Sequence, residues 1–160
     1  MKWLGITLAV VGLGYLAVLA VLSVLSRRAP ELGLVPAADA SPGAPGRLRP
    51  CRSRRNCIST DDTARGNPEA PFEFSGDPEA ALDRLAAAIA AMPRGRVTLR
   101  APGYLRAEFQ TAVFRFVDDV EAAVDPAGGR IQLRSASRVG RGDHGMNRER
   151  VRELRRRFDS

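Results

Sequence analysis

Two short stretches hold most of the residues able to do chemistry: FVDDVE, residues 116–121, and RSASRVGRGDHGMNRERV, residues 134–151. Strand alternation through the first puts Phe114, Phe116, Asp118 and Val120 on one face and Arg115, Asp119 and Glu121 on the other. Asp118 then falls on the apolar side, where an ionised carboxylate is costly unless paired or hydrogen-bonded. Arg138, or the hydroxyls of Ser135 and Ser137, can supply that partner from a neighbouring strand. The pairing has two readings. It is either a preorganised acid or ligand clamp, or a buried ion pair fixing the sheet to the loop that follows; structural networks perturb carboxylates as active sites do, and the second reading is favoured. As an enzyme, the chain would be a hydrolase with Asp118 as general base and Arg138 steadying an anionic substrate or intermediate.

The remaining polar groups say less. Asp119 and Glu121, facing Arg106, Arg130 and Arg134, read as cross-strand charge pairs on an exposed sheet face. A metal site made from DDVE is disfavoured, because neighbouring carboxylates on a strand point to opposite faces; no metal and no cofactor are expected. The glycines of RVGRGDHG, with Arg138 and Arg141, offer backbone amides to an anion, but no Walker lysine accompanies them. RGD at 141–143 is too short a string to carry a function. His144, the single histidine, has no Ser or Cys nucleophile at a recognisable spacing, and a triad is not expected. Cys51 and Cys57 are the only cysteines. They read as a disulfide, with two free thiols as the alternative; a structural zinc would want four ligands.

The elements that must position these groups follow from periodicity. Asp77 as cap, Pro78 at the first helical position and Leu82, Leu85, Ala86 and Ile89 at helical spacing predict a helix over 78–92, stopped by Pro93 and Gly95. RVTLRA alternates, with Val97, Leu99 and Ala101 inward, and YLRAEFQT alternates after the Pro102–Gly103 turn, with Leu105, Ala107 and Phe109 inward. A third run, Val113–Asp125, ends in PAGG and pairs back with RIQLRS, Ile131 and Leu133 inward. Asn147 is the expected cap of a last helix whose stripe is Val151, Leu154 and Phe158. The arginines of that helix read as a solvated face. The fold class is α+β: an antiparallel sheet of about four strands with flanking helices on one face, preceded by a transmembrane helix.

Trp3 to Leu25 carries no charge, and as a helix it spans a hydrocarbon core of about 30 Å. Its length favours an uncleaved anchor (3–25) over a signal peptide. Lys2 on one side and Arg27 and Arg28 on the other nearly tie by the positive-inside rule. The cysteine pair breaks the tie toward a periplasmic or other extracytoplasmic soluble domain. Residues 29–50, with five prolines and three glycines, read as a linker, and 51–158 as the soluble domain. The formal charge is +7, but all of the 25 basic residues except Lys2 are Arg, a chain-wide bias that weakens charge as a clue. Nucleic acid is an unlikely partner, the more so for an anchored chain.

CRSRRNCIST (51–60), YLRAEF (104–109), FVDDVE (116–121) and, most closely, residues 134–151 together resemble the domain of unknown function 1499 family, over roughly residues 48–158. The matching residues of the last motif are Arg134, Ser135, Ser137, Arg138, Gly140, Asp143, Gly145, Asn147 and Arg150. Arg52 and Arg55 stand where the family usually has prolines, and Arg141, Gly142 and His144 also depart from its pattern. The resemblance implies an N-terminal membrane segment or export signal and names no reaction. The expected arrangement has the last loop docking onto Asp118 and Asp119 through Arg134 and Arg138. The expected function is a tethered, non-catalytic envelope module binding a small anionic ligand, a lipid headgroup or an envelope protein through Asp118, Asp119, Arg134, Ser135, Ser137, Arg138, Asp143 and Asn147. The alternatives are the hydrolase and a structural component of a membrane complex.

Overall fold

The computed structural model describes residues 2–29, 48–51, 53, 55–61, 69–125 and 129–160. Residues 30–47 of the expected linker and 126–128 of the expected PAGG turn lie outside the described residues. In chain order the elements are α1 (Lys2–Arg28), β1 (Cys57–Ser59), β2 (Phe72–Glu73), α2 (Pro78–Ala90), β3 (Gly95–Ala101), β4 (Tyr104–Gln110), β5 (Val117–Asp125), β6 (Arg130–Ser137) and α3 (Met146–Phe158). The uncharged N-terminal run is one helix, long and apolar enough to cross a membrane.

All strands join one antiparallel sheet in the order β1-β6-β5-β4-β3, with β2 also paired to β6. The two expected hairpins are present: Ala101 pairs with Tyr104 across Pro102 and Gly103, and Asp125 pairs with Arg130. Gly103 makes its turn possible, since it sits at φ +69, where a side chain would be strained. Among the described residues the sheet has six strands where about four are expected. The two additions are three and two residues long, too short for a period to register, and they share the outer edge of β6: Cys57–Ser59 against Arg134–Ala136, Phe72–Glu73 against Arg130–Ile131. Thr60 extends the first pairing, its N–H donating to the Leu133 carbonyl at 2.8 Å and its Oγ1 accepting from the Leu133 N–H at 2.8 Å.

Inward side chains of β4 to β6 (Leu105, Ala107 and Phe109; Val120, Ala122 and Val124; Ile131 and Leu133) form one core with Leu82, Leu85 and Ile89 of α2 and Val151, Leu154 and Phe158 of α3. Both helices therefore cover the same face of the sheet. α2 begins as its sequence dictates, with the Asp77 carboxylate accepting from the Glu79 and Ala80 N–H groups and Pro78 in the first turn. It ends at Ala90, two residues before the expected position.

Two alternation readings fail locally. A register shift between Val97 and Leu99 turns Leu99 outward, leaving it 36% exposed; β3 is the sheet's edge, where bulges concentrate. β5 starts at Val117 rather than Val113, because Arg115 adopts a left-handed φ of 57 that no strand accommodates. Gly95 is required by contact rather than by φ: a Cβ there would lie 2.5 Å from the Ile89 carbonyl oxygen and 2.7 Å from Phe109 Cε1. Gly95→Ala is expected to destabilise the domain by about 1–3 kcal/mol through this overpacking, read as a lower midpoint in urea unfolding.

Candidate functional site

Alternation along β5 does place Asp118 on the core side, 4% exposed. Its partner is not Arg138 but Arg150, on the inner face of α3, with Nη2 2.6 Å from Asp118 Oδ2. Arg150 lies one turn after Asn147, so the two share a helix face, and Arg150 Nη1 donates to Asn147 Oδ1 at 2.6 Å and to Ser135 Oγ at 3.0 Å. The guanidinium also sits 4.9 Å over the Phe109 ring. Asn147 is not the expected cap. Its amide is a buried hub, with Nδ2 donating to Ser137 Oγ at 3.0 Å, to the Asn56 carbonyl at 3.1 Å and to Asp143 Oδ2 at 2.7 Å, while Oδ1 also accepts from Ser135 Oγ at 2.6 Å. Asp143 does the capping, accepting from the Gly145 and Asn147 N–H groups at 2.9 and 3.0 Å.

The opposite sheet face carries a second network. Arg138 makes a bidentate pair with Asp119 (Nη2–Oδ1 2.6 Å, Nε–Oδ2 2.8 Å) and reaches Glu108 Oε1 at 2.5 Å; its side chain is 3% exposed. Beside it Arg134 Nη1 meets Glu121 Oε2 at 2.8 Å, and the Tyr104 hydroxyl donates to Glu121 Oε1 at 2.9 Å. The exposed ladder expected here is thus largely buried, with Glu121 only 6% exposed. Arg106 reaches Thr98 Oγ1 rather than a carboxylate, and Arg130 pairs with Asp125. Electrostatics follow the geometry. Burial pushes the Tyr104 hydroxyl up and Glu121 beside it pushes further. Burial also works to raise Glu108, but the Arg138 and Arg96 guanidiniums outweigh it and hold the carboxyl below its ordinary value.

At the outer edge of β6, Cys51 and Cys57 are joined by a disulfide, S–S 2.05 Å. The cysteine loop is laced to the 138–145 loop: Ser137 N–H to the Asn56 carbonyl at 2.9 Å, Asp143 N–H to the Arg55 carbonyl at 2.9 Å, and Asn56 Nδ2 to the Gly140 carbonyl at 2.9 Å. Between the two loops opens a groove of about 310 Å³ lined by Arg55, Cys57, Asp143, His144, Asn147 and Arg148, among others. Among the described residues no three His, Cys, Asp or Glu side chains gather as a metal site.

The family model described as a protein of unknown function, DUF1499, matches residues 47–158. The chain belongs to the DUF1499 family. None of the curated proteins compared with it matches.

In this DUF1499 domain the residues singled out from sequence fall into three groups. Asp118, Ser135, Ser137, Asp143 and Asn147 share one network; Asp119 and Arg138 share a second; Arg134 joins Glu121 and touches neither aspartate. Sequence reasoning missed Arg150, Glu108 and Asn56. Arg150 carried a signal, being among the residues that match the last motif; Glu108 carried one in its register opposite Asp119. The arginines of α3 are a solvated face only in part: Arg156 and Arg157 are exposed and pair with Glu149 and Glu153 of the same helix. Arg148 and Arg152 both hold Glu69, at 3.0 and 3.1 Å; Arg155 lies 4.3 Å over the Phe72 ring and donates to the Ala70 and Pro71 carbonyls. They fasten the segment before β2 to the helix.

Removing one partner of a buried pair strands the other, at a typical cost of about 3–5 kcal/mol. Asp118→Asn, Asp118→Leu and Arg150→Met are each expected to lose stability on that scale, and the Asp118→Leu, Arg150→Met double variant to lose less than the sum of its two single variants, as read by a double-mutant cycle in urea. A purely catalytic Asp118 would leave Asp118→Asn fully stable. For Glu108 the sign is fixed by its lowered pKa: the stabilisation is present above the ordinary carboxyl value of about 4.3 and is lost as pH falls below it. The stability gap between the native chain and Glu108→Gln should be constant well above the ordinary carboxyl value and shrink progressively as pH falls below it, measured by unfolding at each pH.

Proposed function

We propose that this DUF1499 protein is a membrane-anchored, extracytoplasmic binding module, and that its groove beside the disulfide takes a small anionic ligand. The length and apolarity of α1 support the anchor, and the Cys51–Cys57 bridge supports an oxidising compartment for the domain. The observation that carries the binding reading is the distribution of charge. Asp118, Asp119, Glu108 and Glu121 are each closed by an arginine away from the groove. Among the described residues the groove is lined by Arg55, by His144 and by Arg148, which also pairs with Glu69, and its one carboxylate, Asp143, already accepts from the first turn of α3. Among these residues an anion meets the Arg55 guanidinium first, with Arg148 shared with Glu69, and no carboxylate without a hydrogen-bond donor. A hydrolytic role for Asp118 lacks such access, since that carboxylate is 4% exposed and held by Arg150.

The chain's single histidine is a built-in reporter of the groove. Titrating the full chain in detergent micelles with inorganic phosphate should shift the His144 imidazole proton resonances saturably, and Arg55→Gln should abolish saturation. A native chain whose His144 signals do not saturate with phosphate would defeat the anion-binding reading.

A further inference from the structure

The loop between β4 and β5 exposes apolar side chains that nothing in the folded core requires. Val113 is 78% exposed and Phe114 36%. The loop is nevertheless built rather than frayed. The Thr111 N–H donates to the Phe116 carbonyl at 2.9 Å, the Phe116 N–H returns to Thr111 Oγ1 at 3.0 Å, and Arg115 Nε donates to Gln110 Oε1 at 2.7 Å. Phe114 stacks on Phe116 with ring centroids 5.8 Å apart. Arg115 tolerates a left-handed backbone there, φ 57, a conformation costing about 1 kcal/mol or more for a non-glycine residue. The backbone is thus held in a strained shape that presents Val113 and Phe114 outward.

What stands next to this loop is the end of α1. The Val117 N–H, one residue past the loop, donates to Ser26 Oγ at 2.8 Å, and Arg138 Nη1 approaches the Ser26 carbonyl at 3.5 Å. Ser26 is fully buried by these contacts, and Ser23 and Ala29 beside it are nearly so, although the rest of α1 is largely exposed. Ser26 directly follows Leu25, the last residue of the uncharged run. Phe114 is three residues from Val117, so its backbone lies within about 11 Å of that joint. With α1 read as an anchor, the loop therefore lies within about 11 Å of the point where α1 leaves hydrocarbon. Exposed cations surround it: Arg27 and Arg28 in the last turn of α1, Arg115 in the loop, and Arg94, whose Nε donates to the Gln110 carbonyl at 2.9 Å.

We propose that residues 111–116 are a second membrane contact, with Val113 and Phe114 seated in the interfacial layer of the bilayer that α1 crosses and Arg27, Arg28, Arg94 and Arg115 at the lipid phosphates. Apolar and aromatic side chains flanked by arginines are what that layer accepts: rings and aliphatic groups lie at headgroup depth while guanidiniums reach anionic lipid. The proposal rests on the reading of α1 as an anchor, and the test separates the two.

Trp3 is the only tryptophan. The full native chain, reconstituted into phosphatidylcholine–phosphatidylglycerol vesicles, reports α1 through Trp3, and a Trp3→Phe, Phe114→Trp chain reports the loop. In the second chain the indole emission should shift to the blue, be largely lost to lipid brominated near the headgroup, and be lost much less to lipid brominated near the bilayer centre. Val113→Trp in the same background should behave alike; at a position this exposed the substitution does not threaten folding. Loop indoles quenched by aqueous acrylamide and by neither brominated lipid, while Trp3 of the native chain is quenched by lipid, would overturn the loop contact and leave the anchor standing. Trp3 untouched by lipid would overturn the anchor and the loop contact together.

Discussion

An ionised carboxylate inside a sheet must be met by a cation or it unfolds what surrounds it. β5 carries three such groups, Asp118 toward the helices and Asp119 and Glu121 toward the other face, and each is answered by an arginine from later in the chain. Meeting Asp118 requires Arg150 to enter the core, which fixes the rotation and height of α3 on the sheet. Meeting Asp119 requires the chain to continue one residue past β6, so that Arg138 reaches across to β5. The order of strands, the seat of the last helix and the closure of the loop between them all depend on these pairings.

Asn147 translates the same constraint to the outer edge. Its amide bonds with Arg150 and Ser135 on one side and with the Asn56 carbonyl and Asp143 on the other. The core ion pair, the cap of α3 and the cysteine loop are thereby one connected set of hydrogen bonds. Such networks favour a single arrangement because each member, displaced, leaves another buried and unmet. The same set forms one wall of the groove, through Asp143 and Asn147.

Much of this was legible in the residues themselves. The helix starting at Pro78, both hairpins and the inward phase of Leu105, Val120 and Ile131 follow from period and capping alone, because local propensity and burial agree there. The buried position of Asp118 was legible for the same reason. Its partner was not, since Arg150 meets it only through the placement of α3; strand alternation, carried one residue past Ser137, puts Arg138 on Asp119's side and so removes the arginine that the sequence offered first. The capping role went to Asp143 rather than Asn147 because a helix start set by a left-handed Gly145 leaves no trace in a hydrophobic pattern. β1 and β2 escaped because strands of three and two residues are defined by the neighbour they pair with.

The split edge of β6 has a consequence for how the chain becomes a domain. β1 lies near residue 58 and its partner near residue 135, and the cysteine loop is tied to Asn147, so these contacts close only when nearly the whole domain has been synthesised. Loop closure over such separations is slow, and until it occurs the outer edge of β6 is an unpaired template for other chains. The six-residue separation of Cys51 and Cys57 needs no such wait. Their bridge can form on an otherwise unfolded chain, before the outer edge of β6 is covered.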